Sequence, residues 1–294
     1  MTAITVAWPT MSSSRAGALM AVVSMLCVQA GLAVAVNLID DLGAAGTTWL
    51  RLAWAAVILL LVRPRPSDFS ASAFRANVVL GVVTAGTALL FMAAIERLPL
   101  GTASALEFLG PLGVAVWRGR GGVKIWPAIA AVGVVCLTRP WTGEADALGV
   151  AFALAAAVCW GVYIVLTQHV GDEVAGLKSI AVTIPVAALA ALAATVVAGP
   201  STVGRLTPDL LLIGLGLAIL LPVVPFTLEF LALRRLTTAA FGTLMSLEPA
   251  IAVLIGFIVL SQQPDALALL GIACVVVAGI GAERTGGREA PDAR

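Results

Sequence analysis

The chain has 294 residues, 61% of them hydrophobic and 11% charged, with a formal net charge of +1 and a mean hydropathy of +1.07. Soluble domains are about 45–50% apolar and about 25% charged, so a soluble enzyme and a disordered segment are excluded. The near-zero net charge excludes a nucleic-acid binder, which needs a basic field. The solvent of this chain is a lipid bilayer.

A helix crossing a hydrocarbon core of about 30 Å needs roughly 20 mostly apolar residues. Apolar runs between charged or Pro/Gly punctuation predict ten such spans, near 16–37, 44–62, 75–95, 100–117, 124–139, 148–168, 177–198, 209–232, 238–260 and 265–283. Residues 1–15 and 284–294 are tails. Arg15, the first run and Ala33-Val34-Ala35 resemble a secretory signal, but the run is long for one and belongs to an internal repeat. It is read as a span.

Charge placement orients the spans. With the N-terminus inside, Arg97, Arg139 and Arg205 fall outside, Arg51 falls within a span, and the rest of the 17 basic residues fall on the inner side. This is the bias expected of a cytoplasmic side, and it puts both tails in the cytoplasm. The short loops leave no room for a soluble domain. Cys27, Cys136, Cys159 and Cys274 lie in apolar runs without ligand spacing, and His169 is the single histidine. No metal site, cofactor or catalytic residue is expected. His169, Asp172 and Glu173 read as a solvated inner connector, and Asp40-Asp41 as an outer loop. Trp49, Trp117, Trp126 and Trp141 read as interface anchors.

The two halves of the chain resemble each other. A shift of 138 residues carries Arg97 onto Arg235, Pro111 onto Pro249, Gly133 onto Gly271 and Cys136 onto Cys274. A shift of 132 aligns "SMLCVQAGLAV" at 24–34 with "AAVCWGVYIVL" at 156–166. A repeat of five spans enters the membrane from opposite sides in its two copies, here 16–139 and 148–283. This inverted topology is found in many secondary transporters, with a site near the midplane.

Ionisable residues inside a span each cost a few kcal/mol on insertion scales and therefore need a partner, water or a function. Arg51 and Glu107 lie at matching depth, roughly 10 Å below the outer surface. Either they form a buried ion pair, or they separate to hold a zwitterion, with the guanidinium fork on the carboxylate and Glu107 on the ammonium. Glu248 is near the midplane, next to Pro249. It reads as a proton or substrate carrier, or as an acid hydrogen-bonded to a neighbouring carbonyl. Glu229 lies near the inner end of its span, close to Arg234 and Arg235, and reads as a local salt bridge, with a cavity role left open by Pro222 and Pro225. Pro111, Pro222, Pro225 and Pro249 mark helix breaks. Gln29 is a contact to substrate or between helices, and Trp160 is packing or a cavity wall.

The stretches "LPLGTASALEFLGPLGVAV" (98–116), "CWGVYIVLTQ" (159–168) and "LEFLALRRLTTAAFGTLMSLEPAIAVL" (228–254) resemble the EamA family of the drug/metabolite transporter superfamily, most like its bacterial inner-membrane threonine/homoserine exporters. The resemblance implies an all-α fold of ten transmembrane helices in two inverted five-helix repeats. It implies export of amino acids or other small metabolites. The buried glutamates next to Pro/Gly in both halves make proton antiport of small neutral amino acids the leading expectation, the alternative being a passive facilitator or an exporter of another small metabolite or drug on the same fold. The chain departs from the family at Ser261-Gln262, where members carry a glycine–glutamate pair.

Overall fold

A computed structural model describes residues 13–59, 69–118, 125–139, 146–171, 177–199 and 203–285. Among these, nine helical stretches are long and apolar enough to cross a membrane, and a tenth, Ile125–Thr138, is apolar but shorter. In chain order the helices are α1 (Ser13–Asn37), α2 (Ile39–Leu59), α3 (Ala71–Ile95), α4 (Leu100–Glu107), α5 (Leu109–Arg118), α6 (Ile125–Thr138), α7 (Ala147–Gly171) and α8 (Leu177–Ala198). They continue as α9 (Pro208–Ala218), α10 (Val224–Leu233), α11 (Thr238–Met245), α12 (Glu248–Leu260) and α13 (Ala266–Thr285). The pairs α4–α5, α9–α10 and α11–α12 are each one span broken in the middle.

Two boundaries correct the sequence expectation. Asp40 and Asp41 lie in the first turn of α2, not in a loop, and the helix bends at Gly43 (φ 69°, ψ 167°). Carboxylates at a helix N-terminus complement its dipole, and a glycine tolerates the left-handed φ of the bend. The helix α7 runs on to Gly171, so His169 sits in its last turn; Asp172, Glu173 and Trp141 lie outside the described residues.

Small residues let the helices approach closely, which is the main source of association where lipid tails are as apolar as leucine. A Cβ built on Gly110 of α5 would lie 2.1 Å from the Ala157 carbonyl oxygen of α7. Val197, Leu189, Val158 and Leu212 are more than half exposed and form a lipid-facing surface. Between α3 and α8, Asn77 accepts from the Ser179 and Thr183 hydroxyls.

The packing repeats with the two sequence shifts. Gly17 of α1 lies against Arg235 and Leu236, and Gly149 of α7 lies against Arg97 and Leu98. Gly133 of α6 faces Gly271 of α13 in reciprocal contact, each also facing the other's Cys274 or Cys136. Arg97, Arg139 and Arg205 stand at one end of the bundle, the outer end in the orientation expected from charge. There Arg97 pairs with Asp146 at 3.0 Å, and Arg139 pairs with Asp265. Both aspartates also cap a helix, accepting from the backbone of Gly149 and Ala268. The Gly149 N–H and then Arg97 hold the Asp146 carboxyl below its usual range. Arg139 and then the Ala268 N–H do the same for Asp265.

Candidate functional site

The fourth and ninth spans break in the same way. Phe108 follows α4 with φ −62° and ψ −14°, and its N–H bonds the Ser104 carbonyl. Ser246 follows α11 with φ −62° and ψ −13°, and its N–H bonds the Gly242 carbonyl. These residues are 138 apart, as are Pro111 and Pro249 just beyond. A proline has no N–H, so the carbonyls four residues back, those of Glu107 and Met245, lose their helical donors. The eighth span breaks differently, through a π-type turn over Ile219–Val223 that contains Pro222, with Pro225 entering α10.

The ionisable side chains gather at these breaks. Glu107 ends α4 and lies within electrostatic range of Arg51 on α2 and of Glu248 at the start of α12. Arg51 is 9% exposed and its Nε has no hydrogen-bond partner. Of the two expected arrangements, the closed ion pair is not the one adopted: among the described residues, the guanidinium and the Glu107 carboxylate make no contact within 4.0 Å. Glu248 accepts from Gln29 Nε2 of α1 at 3.2 Å, so Gln29 joins two helices, and its Oε1 is buried and unpartnered.

Glu229 departs from the expected salt bridge. It accepts from the Ser24 hydroxyl of α1 at 2.7 Å, while Arg235 donates to the Leu231 carbonyl. Side chains meet on a helix at spacings of three and four, and Arg234 and Arg235 are five and six residues beyond Glu229. The Ser24 hydroxyl also lies 3.4 Å from the Pro225 carbonyl oxygen. Glu229 is within electrostatic range of Glu248 and of Tyr163. Arg51, Glu107, Glu248 and Glu229 therefore form a line through the bundle, each within range of the next. Trp160 is edge-on to Phe108, with ring centroids 6.3 Å apart. It buttresses the break after Glu107 as a packing residue.

Ser24, Tyr163 and Asn77, with the buried but unpartnered Thr47, are the polar side chains that the sequence reading did not single out. Tyr163 carried one usable signal, as the single tyrosine of the chain set in an apolar run. Ser24 carried a weaker one, lying in the repeated stretch that also contains Gln29.

Two features flank the line at the outer end. A hollow of about 520 Å³ opens between α2, α3 and α8, with Gly43, Gly46, Glu96, Thr195 and Arg205 in its wall. Beside it, the Leu100 N–H at the start of α4 donates to Gln262 Oε1 at 3.0 Å. Ser261 precedes with φ 55°, a left-handed conformation that a glycine would adopt without strain. Gln262 thus anchors the short helix that ends in Glu107.

A carboxylate line with one guanidinium, buried at paired helix breaks of a two-fold pseudo-symmetric bundle, suits a small charged solute and has no nucleophile–base or metal-ligand arrangement. Among the described residues no three His, Cys, Asp or Glu side chains group as metal ligands. The family model for the EamA-like transporter family matches residues 147–281. The threonine/homoserine exporter RhtA of Salmonella typhimurium strain LT2 is 34% identical over 275 residues, 92% of each chain.

The chain belongs to the EamA-like transporter family.

RhtA of Escherichia coli K12 is also 34% identical, over 90% of each chain, and an uncharacterized transporter of Clostridium kluyveri is 23% identical over 52% of this chain and 51% of its own. A solved crystal structure superposes with a TM-score of 0.59 at 18% identity, covering 92% of this chain and 97% of its own, which bears on the fold alone. The protein is a multi-pass membrane transporter of small molecules, and not an enzyme.

Proposed function

We propose that this EamA-like transporter exports small neutral amino acids of the threonine and homoserine type from the cytoplasm in exchange for protons. The observation that carries the reading is the convergence of Arg51, Glu107 and the Gln29–Glu248 pair on the broken fourth and ninth spans. A guanidinium suits the substrate carboxylate. A carboxylate suits the ammonium when ionised and carries a proton when the ammonium leaves. Glu229, Glu248 and Glu107, taken in order of depth, supply successive stations for that proton. The RhtA relatives are threonine/homoserine exporters, which supports the choice of substrate.

In this reading the halves 16–139 and 148–283 rock about the site. The chain lies in a bacterial cytoplasmic membrane with both termini inside, the inner excess of arginine and lysine supporting that orientation. Proteoliposomes loaded with labelled threonine test the proposal. An inward proton gradient is expected to speed threonine loss relative to vesicles without the gradient. Equal loss in protein-containing and protein-free vesicles sinks it.

A second reading, a passive facilitator on the same fold, is favoured by one observation. The acceptor at the start of α4 is the neutral amide of Gln262, where family members carry a titratable glutamate. It predicts threonine flux that ignores the pH gradient and survives Glu248→Gln.

A further inference from the structure

Threonines inside membrane helices satisfy their hydroxyls on their own backbone, by donating to the carbonyl four residues earlier. This chain follows the rule at Thr84, Thr87, Thr138, Thr195 and Thr227, with distances of 2.8–3.1 Å. Thr48 follows it too, donating to the Ala44 carbonyl at 2.9 Å. Its neighbour Thr47 does not. The residue four before Thr47 is Gly43, whose φ of 69° and ψ of 167° take it out of helical geometry and turn its carbonyl away from the helix axis. Thr47 is fully buried, and its hydroxyl has no partner.

Among the described residues, three buried side-chain polar atoms lack a hydrogen-bond partner: Gln29 Oε1, Thr47 Oγ1 and Arg51 Nε. All three belong to the central site or its immediate extension. Thr47 and Arg51 are four residues apart, so they share one face of α2, separated by about 6 Å along the axis. Gln29 of α1 has its amide held by Glu248, and Glu248 is within electrostatic range of Glu107, as Glu107 is of Arg51. A buried polar atom without a partner is costly, and native structures keep few of them. A guanidinium nitrogen and a hydroxyl left open on one face of α2, with the Gln29 amide oxygen left open beside Glu248, are complementary to a ligand that brings its own donors and acceptors.

We propose that Thr47 is the specificity-determining residue of this transporter, reading the side-chain hydroxyl of an amino acid whose carboxylate lies on Arg51 and whose ammonium lies between Gln29 Oε1 and Glu107. This inference rests on the export reading above and adds to it the class of side chain that the site selects. The bend at Gly43 is then part of the recognition device, because it removes the internal acceptor and frees the hydroxyl for a ligand. A site built to hydrogen-bond a hydroxyl discriminates strongly against the isostere that lacks it. Valine is that isostere for threonine.

Counterflow of labelled threonine in proteoliposomes, competed by unlabelled threonine or valine, tests the inference. Wild type is expected to prefer threonine to valine by about tenfold or more. In Thr47→Val the preference falls to about twofold or less, while Thr47→Ser keeps it. Thr48→Val also keeps it, since the Thr48 hydroxyl is already bound to Ala44. Thr47→Ala carries the same expectation as Thr47→Val and replaces it where the valine variant does not fold. An unchanged threonine preference in a folded, transporting Thr47→Val or Thr47→Ala protein overturns the assignment and leaves the export reading standing. No threonine flux in wild type overturns the export reading and, with it, this one.

Discussion

Beside the break in the ninth span, Glu248 meets Gln29 of α1. At the corresponding place in the first half, 138 and 132 residues away, Gly110 lies against Gly161 of α7 and the backbone of Ala157. The second polar pair behaves alike. Ser24 and Glu229 are hydrogen-bonded, and their counterparts by the same shifts are Ala156 and Phe91, both buried in the central apolar cluster. One pseudo-symmetric seam, α3 with α5 against α7, is thus closed by small and apolar residues. The other, α10 with α12 against α1, carries Glu229 and Glu248, each hydrogen-bonded to α1. The backbone around the breaks is nearly identical, so the fold supplies two sites by symmetry and the side chains keep only one of them polar. A seam packed through Gly110 has no room to hydrate, whereas a seam of hydrogen-bonded acids can exchange its partners for a solute or a proton.

That contrast is open to attack. The largest effect is expected at the polar seam. Glu248→Gln should reduce proton-driven threonine flux in proteoliposomes to the background of protein-free vesicles, while elution as a folded species in detergent stays unchanged. Flux near the wild-type level breaks the assignment of the working seam. At the closed seam, Gly110→Ala should destabilise the protein by about 1–3 kcal/mol through overpacking against Ala157, read from thermal unfolding in detergent. Gly161→Ala is the matched control, because a Cβ there would meet its nearest neighbour at 3.5 Å. It should be neutral or stabilise by up to about 1 kcal/mol.

Smaller effects sharpen the comparison at the outer end. Ser261→Gly should raise stability by about 1 kcal/mol, since it relieves a left-handed residue with a Cβ, and should leave the Gln262 contact to α4 intact. The Arg97–Asp146 and Arg139–Asp265 clasps join one half to the other. Both carboxyls are held below their usual range, so what they contribute is fully present above the ordinary aspartate value of about 4 and is lost as pH falls through the lowered values. Unfolding temperature should therefore show no step between pH 7 and pH 5 that Asp146→Asn or Asp265→Asn removes. A step in that window that either variant abolishes contradicts the assignment.

The ten spans and the repeat were legible because each rests on a quantity that a sequence carries directly, the length of an apolar run and the order of identities. That Arg51, Glu107, Glu248 and Gln29 lie inside the bundle was legible for a related reason, since a polar group in such a run demands an explanation. What was not legible depends on torsion angles and on which faces meet. The availability of the Thr47 hydroxyl follows from the backbone of Gly43, and nothing in "LGAAGTTW" distinguishes it from that of Thr48. The partner of Glu229 is set by the packing of α10 on α1, so nearby arginines in the sequence misled. The left-handed turn at Ser261 makes this a place where a glycine fits without strain, which the sequence alone did not reveal.

The contact between Gly133 and Gly271 has a consequence for assembly. A residue that meets its own counterpart, with neighbouring cysteines arranged likewise, is what a self-complementary interface between two identical chains looks like. Two separate five-helix polypeptides, inserted in opposite senses, would dock through this same rib of α6 and α13. In the single chain the same rib joins one half to the other, so the two halves meet through a contact that each could make with a copy of itself.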